Sequence, residues 1–437
     1  MTGGGKPASL AAPLDIRDLD AVFDGWPAYR RIALAVSGGA DSMAMMLLAH
    51  DWRSRRDEAP ALSVLTVDHG LRAEAAAEAA SVKAVAARIG LPHETLRWTG
   101  PKPRSDIQAA ARAARYDLMV SYCRAAGIDA LATAHTADDQ AETMLMRLAR
   151  GSGLDGIAAI PAVSERGGVT LLRPLLAISR ARLETSLRER GEIWLEDPSN
   201  RDSRYERVRL REAMRAARAL HLAPEKLALS AGRLQRARIA LEAVTGDVLR
   251  SALDIHPAGF GEMSLETLLE QPEEIGLRAL ARMAALFGES VRQTRLVRIE
   301  ALHAALAGTC GGSLTATLGG CLFLARRGTL RVMREFGRID AARVPLPAAD
   351  AILWDGRFTV AAPGAEGLAV GPLGPGGIAA LRALGGRIAL PARIATTLPA
   401  LWRGESLVFT PFPAFDDGPP PSWQAGASAQ FSRDPGW

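Results

Sequence analysis

Six consecutive residues, Ser37-Gly38-Gly39-Ala40-Asp41-Ser42, have the make-up of an anion cradle. They follow the apolar run Ile32 to Val36 and precede an apolar-periodic stretch that continues to His50, so they occupy a strand-to-helix turn. Glycines let the backbone approach a ligand closely, first-turn N–H groups of the helix face it, and two hydroxyls add donors. No Gly-Lys-Ser/Thr follows, which argues against a P-loop NTPase, where the lysine grips the terminal phosphates. A second cluster, His135-Thr136-Ala137-Asp138-Asp139-Gln140-Ala141-Glu142, is acidic. On a helix beginning near Asp138, Asp138 and Glu142 share a face while Asp139 lies about a hundred degrees round. Capping accounts for one of the three carboxylates; all three together, with His135 beside them, suit a cationic co-substrate. Asp68, in the Asp68-His69-Gly70 segment after another apolar run, is a carboxylate at a strand end that can hold a metal or a ribose. Arg204, Arg207, Arg211, Arg215 and Arg218 recur every three or four residues, on one face of a helix. Such a stripe repels itself by about a few tenths of a kcal/mol per pair, which a phosphate backbone would offset.

The elements that must position these groups follow from periodicity. Ile32 to Val36, Leu62 to Val67, His93 to Trp98 and Asp129 to Thr133 read as strands, with helices at 41–52, 74–90, 105–126 and 138–150 between and after them. That alternation predicts an α/β fold, a doubly wound, mainly parallel sheet with helices on both faces. Ligands of such sheets sit beyond the carboxyl ends of the strands, where the three polar clusters fall. A further strand is predicted at Val169 to Leu172, then helices at 179–190 and 203–219. The chain divides into a flexible tail at 1–19, a catalytic domain at 20–219, a mostly helical domain at 220–337 with a hairpin near 313–333, a small α+β domain at 338–415, and a disordered tail at 416–437.

The Ser37 to Ser42 segment resembles the SGGxDS signature of the ATP pyrophosphatases, the PP-loop enzymes that split ATP between its α and β phosphates. Val67 to Arg72 (VDHGLR), the segment around Arg112, Arg115 and Tyr116, Ala134 to Thr143 (AHTADDQAET), Arg150 to Gly153 (RGSG), Arg173 to Leu176 (RPLL) and Trp194 to Arg211 occur in an order similar to that of the tRNA(Ile)-lysidine synthetases, across residues 30–215. Trp354 to Val360 and Leu398 to Glu405 resemble segments of that family's C-terminal domain. Thr136 stands where the family has a second histidine.

The resemblance implies an ATP-dependent ligase that adenylates the wobble cytidine of tRNA(Ile) with a CAU anticodon and joins the ε-amine of free L-lysine to carbon 2, releasing AMP and pyrophosphate. Ser37, Gly38, Gly39, Ala40, Asp41, Ser42, Asp68 and Arg112 are the ATP candidates, and Asp41 is the candidate for Mg²⁺. His135, Asp138 and Glu142 are the lysine candidates, and Asp41, Asp138 and Asp139 the catalytic ones. Arg204, Arg207 and Arg211 are assigned to tRNA phosphates, with the helical and C-terminal domains holding the rest of the tRNA. Relatives that form homodimers make a dimer an expectation too.

The remaining composition trims other classes. Cys123, Cys310 and Cys321 form no CxxC and no Cys/His cluster, which supports neither a disulfide framework nor a zinc site. No apolar run reaches the ~18 residues of a membrane helix, and Met1 to Pro13 lacks a basic-then-apolar leader, so a cytoplasmic protein is expected. The net charge of +5 is spread over both halves and by itself marks no partner. The nearest alternative is a tRNA thiolase of the same superfamily or another adenylating tRNA-modifying enzyme. Sulfur transfer needs a nucleophilic cysteine, and none of the three has an obvious activating neighbour. A non-catalytic nucleotide-binding module would leave the acidic cluster without a task.

Overall fold

A computed structural model describes residues 12–70, 75–99, 107–195, 223–288, 295–309, 312–347, 350–363, 366–415 and 427–436. The Arg204 to Arg218 stripe lies outside the described residues. The chain forms two compact units, Met1–Arg238 and Ile239–Trp437.

The first unit is built on a six-stranded sheet of order β3-β2-β1-β4-β6-β5. Strands β1 (Arg31–Ala35), β2 (Ala61–Asp68), β3 (His93–Arg97), β4 (Ala130–Thr133) and β6 (Val169–Leu172) pair in parallel. All five match the predicted strands. Strand β5 (Val163–Arg166) was not anticipated. It runs antiparallel to β6 because Gly167 and Gly168, with φ of 57° and 76°, close a two-residue hairpin that other residues resist.

Alternation along β1 divides the core. Ile32 and Leu34 face helices α1 (Ile16–Val22), α2 (Ala40–Arg53), α3 (Ala75–Arg88) and the later α7, while Ala33 faces Tyr116, Met119, Val120 and Cys123 of α4 (Ile107–Ala125). Helices α5 (Ala137–Ala149), α6 (Leu154–Ile157) and α7 (Arg180–Glu189) complete this layer arrangement. Met45 and Met46 of α2 are fully buried, each worth roughly 1.5–3 kcal/mol, so the start of α2 is held on a rigid support. The predicted tail at 1–19 gives way to α1 from Ile16, because Asp15 and Asp18 form a capping box and Leu19 buries its side chain.

A 29-residue helix, α8 (Pro224–Ala252), contains the division between the units. In the second unit, α9 (Leu265–Leu269), α10 (Glu273–Phe287) and α11 (Leu296–Ala307) accompany an antiparallel five-stranded sheet. Its three strands Leu314–Leu318, Cys321–Arg326 and Thr329–Arg334 cover the predicted hairpin region. The other two, Asp254–His256 and Phe260–Ser264, make the region less purely helical than its Ala-rich composition suggests. Beyond them lie further antiparallel sheets and the helix Gly374–Ala383. The predicted disordered tail is corrected at Ser428–Phe431, which pairs with Phe358–Ala361. Phe431 contacts the rings of Phe287 and Phe358, and that apolar contact fixes a segment with little periodicity of its own. Among the described residues no helix is long and apolar enough to cross a membrane.

Candidate active site

The strand order reverses between β1 and β4, both of which have neighbours on their outer sides. A crevice beyond their carboxyl ends is where an α/β sheet binds its ligand. The Ser37 to Ser42 segment leaves β1 there, and the acidic cluster leaves β4.

At the first turn the backbone is folded by its own hydroxyls. Ser42 Oγ donates to the Gly39 carbonyl (3.0 Å) and accepts from the Ser37 amide (3.1 Å). Gly38 adopts φ +88°, and a Cβ there would lie 2.6 Å from Leu195 Cδ1. The Leu195 amide in turn donates to the Gly38 carbonyl (2.9 Å). Gly39 is the N-cap of α2 and offers no side-chain cap, so first-turn amides remain available to an anion.

The second turn is closed differently. Thr136 is the N-cap of α5, and its amide and hydroxyl both donate to Asp139 Oδ2 (2.9 and 3.1 Å) while its hydroxyl accepts from the Asp139 amide (3.4 Å). Burial opposes ionisation of Asp139, but these hydrogen bonds and the charge of Arg180 hold its carboxyl below the usual range. Asp139, expected in catalysis, is therefore taken up by the cap, and Thr136 has a structural task at the place of the family's second histidine. Asp138 Oδ2 accepts the Arg180 amide at 2.8 Å, which caps α7 from a neighbouring helix. Glu142, one turn further along α5, is buried.

Asp41 joins the two turns. Arg180 Nε lies 3.1 and 3.0 Å from its two oxygens and Nη2 2.7 Å from Oδ2. Burial pushes the Asp41 carboxyl upward, Asp139 and Asp138 add to that, and Arg180 opposes it. Burial also works against the Arg180 charge, but Asp41, Asp139 and Asp138 more than offset it. With a permanently charged guanidinium on both oxygens, Asp41 is ionised. This pairing bears on Mg²⁺: both Asp41 oxygens are engaged, and among the described residues no three His, Cys, Asp or Glu side chains converge as a metal set. Among the described residues, Asp41 is thus held by Arg180 and not by a set of converging metal-ligand side chains.

His135 belongs to a basic neighbourhood. Its Nδ1 lies 3.0 Å from Thr133 Oγ1, which reaches the Leu172 carbonyl at 3.5 Å, and Arg112 Nη2 lies 3.4 Å from its Nε2. A neutral ring with the proton on Nδ1 satisfies that whole chain. Burial, and then Arg112, Arg173 and Arg115 against the opposing Asp139, lower the imidazole from 6.5 to about 4. His135 therefore acts as an uncharged acceptor for Arg112 and takes up no second proton at neutral pH. Arg112, Arg115 and Arg166 also gather around the Tyr116 ring, at 5.7, 5.8 and 5.1 Å. Asp68, at the end of β2, accepts from the Gly70 amide (2.8 Å).

The structure thus brings together Asp41, Asp138 and Asp139, and pairs Arg112 with His135. It adds Arg180, Arg173 and Leu195, to which sequence reasoning assigned no role. Arg173 and Leu195 lie within the quoted motifs; for Arg180 the available signal was Ser179-Arg180 opening an amphipathic helix.

A family model described as a PP-loop domain matches residues 15–217. A tRNA(Ile)-lysidine synthase of Ruegeria pomeroyi is 38% identical over 406 residues, 92% of this chain and 93% of that protein. One of Methylobacterium nodulans is 44% identical over 336 residues, 74% of this chain and 97% of that protein. The chain belongs to the tRNA(Ile)-lysidine synthase family. A solved U34-tRNA thiolase of Methanococcus maripaludis covers 50% of this chain and 77% of its own, at 15% identity and a TM-score of 0.45.

Proposed function

We propose that the chain is an ATP-dependent ligase that adenylates the wobble cytidine of tRNA(Ile) bearing a CAU anticodon, then joins the lysine ε-amine to carbon 2, releasing AMP and pyrophosphate. The observation that carries this is the pairing of an uncapped, amide-rich turn after β1 with Asp138 after β4, in a chain that is 38% identical to a lysidine synthase over nearly its whole length. Activation is required because the oxygen on carbon 2 of cytosine is a poor leaving group. Adenylation turns it into the bridging oxygen of AMP, which the amine displaces.

In this mechanism the Ser37 to Ser42 amides hold the pyrophosphate end of ATP. Arg180, already charged and beside the loop, is placed to move from Asp41 to phosphate. Lysine arrives protonated, with a solution pKa of about 10.4, and cannot attack in that form. Asp139 is occupied by the cap, so Asp138 is the carboxylate that takes the proton, with Glu142 next along the same face. Mg²⁺ enters with the triphosphate as part of the substrate. Arg204, Arg207 and Arg211 remain our candidates for tRNA phosphates, and the cytoplasm, where tRNA and ATP meet, is the location this function requires.

The thiolase alternative is disfavoured by chemistry. Cys123 and Cys321 are buried, and desolvation pushes their thiols up to about 11 and about 12, away from the thiolate that sulfur transfer needs. The test is incubation with labelled lysine, ATP and total tRNA. ATP-dependent entry of label into tRNA is expected; entry of cysteine-derived sulfur in its place would overturn the assignment.

A further inference from the structure

A cavity of about 230 Å³ opens beside the acidic turn, lined among others by Asp138, Ser179, Ala181, Glu225 and Lys226. It is smaller than the roughly 300–1,000 Å³ of sites for drug-sized ligands, which suits a molecule the size of one amino acid. Ser179 is the N-cap residue of the ten-residue helix α7 and is only 4% exposed. A serine there ordinarily accepts from a first-turn amide. Here it does not: no side-chain cap bond forms, the Arg182 and Leu183 amides go to the Ser179 carbonyl, and Ser179 Oγ is buried with no hydrogen-bond partner. Asp138 has taken over the capping of Arg180, which leaves the serine hydroxyl and the first-turn amide of Ala181 available. A buried hydroxyl on a residue of the cavity lining, without a partner in the chain, calls for a partner from outside it.

We propose that Ser179, Ala181 and Lys226 form the seat of the α-carboxylate of the free amino-acid substrate. The carboxylate accepts from the Ser179 hydroxyl and the Ala181 amide, where the positive end of the α7 dipole favours an anion, and pairs with the Lys226 ammonium. Glu225 balances the α-ammonium, and the amine-bearing side chain runs to Asp138, the proton acceptor. A diamine of the same length lacks the group these three donors hold, so the seat selects an amino acid over a polyamine. This inference rests on the ligase reading for the identity of the substrate.

The test compares L-lysine with 1,5-diaminopentane in tRNA-dependent incorporation by the wild-type enzyme, Ser179→Ala and Lys226→Gln. Each substitution is expected to raise the KM for lysine about tenfold, the worth of a hydrogen bond to a charged group, with the loss in KM and not in kcat. Diaminopentane kinetics should not respond. Lys226 is exposed, so its variant serves even where Ser179→Ala fails to fold. An unchanged KM for lysine in Lys226→Gln, or equal losses for lysine and diaminopentane, overturns the proposal. Absence of lysine incorporation by the wild-type enzyme is instead a failure of the ligase reading. Equilibrium dialysis of labelled lysine against wild type and Lys226→Gln then decides the seat alone, and equal retention overturns it.

Discussion

Two helices start side by side at the reversal point of the sheet, and they start in opposite ways. Helix α2 begins at Gly39 with no side chain on its first-turn amides, whereas α5 begins at Thr136 with a capping box closed by Asp139. Both turns leave parallel strands, and both carry a carboxylate in the first turn. The open turn invites an anion from outside; the closed turn supplies its own, and Asp138 beside it offers negative charge to a cation. In the function proposed above, that difference in capping is what separates the triphosphate from the amine.

Substitutions can break or sharpen that contrast. Asp138→Asn keeps an acceptor for the Arg180 amide but removes the base, so lysine transfer should fall about a thousandfold while ATP- and tRNA-dependent pyrophosphate release persists. Retained transfer, read by label in tRNA, would exclude Asp138 as the base. Gly38→Ala forces a Cβ onto Leu195 at φ +88°, and nucleotide turnover should drop about a hundredfold, read as pyrophosphate release. Gly39→Asp is the direct exchange of one cap style for the other. The residue sits at φ −73°, which any side chain tolerates, so the fold should gain about 0.5 kcal/mol in denaturant unfolding while ATP binding weakens about tenfold. A variant that gains stability and binds ATP as before would show that the uncapped turn is not the anion site.

His135 gives the contrast a pH dependence. The unfolded chain takes up its proton near 6.5, but the folded ring stays neutral until about 4. Its contribution is therefore whole above 6.5 and declines as the pH falls from 6.5 toward 4. His135→Asn should flatten that part of the stability profile, measured by denaturant midpoints across the range. The smallest effect on activity is expected of Thr136→Ala, a loss of about 1 kcal/mol in stability as the cap weakens, with lysine transfer reduced far less than in Asp138→Asn.

The parts of this arrangement that sequence made legible were local. Alternating β-branched runs and Ala-rich stretches announced the parallel strands, and polar clusters at their ends announced the crevice. One carboxylate of the acidic three was assignable to capping, but choosing Asp139 needed the backbone of Thr136. Arg180 was invisible because its partner Asp41 lies 139 positions earlier, and no periodicity encodes a pair at that distance. The Ser428–Phe431 strand escaped for a similar reason. Its pairing is decided by Phe358 and Phe287, not by an alternation of its own.

The ion pair between Asp41 and Arg180 has a consequence for synthesis on the ribosome. The nucleotide loop is translated early, yet the guanidinium that completes it and the Leu195 amide that braces Gly38 come from more than a hundred residues downstream. A nascent chain that has emerged only through the acidic turn holds both ligand-facing loops without the strut between them. Completion of the nucleotide loop is therefore expected late in translation, once α7 and Leu195 have emerged and docked.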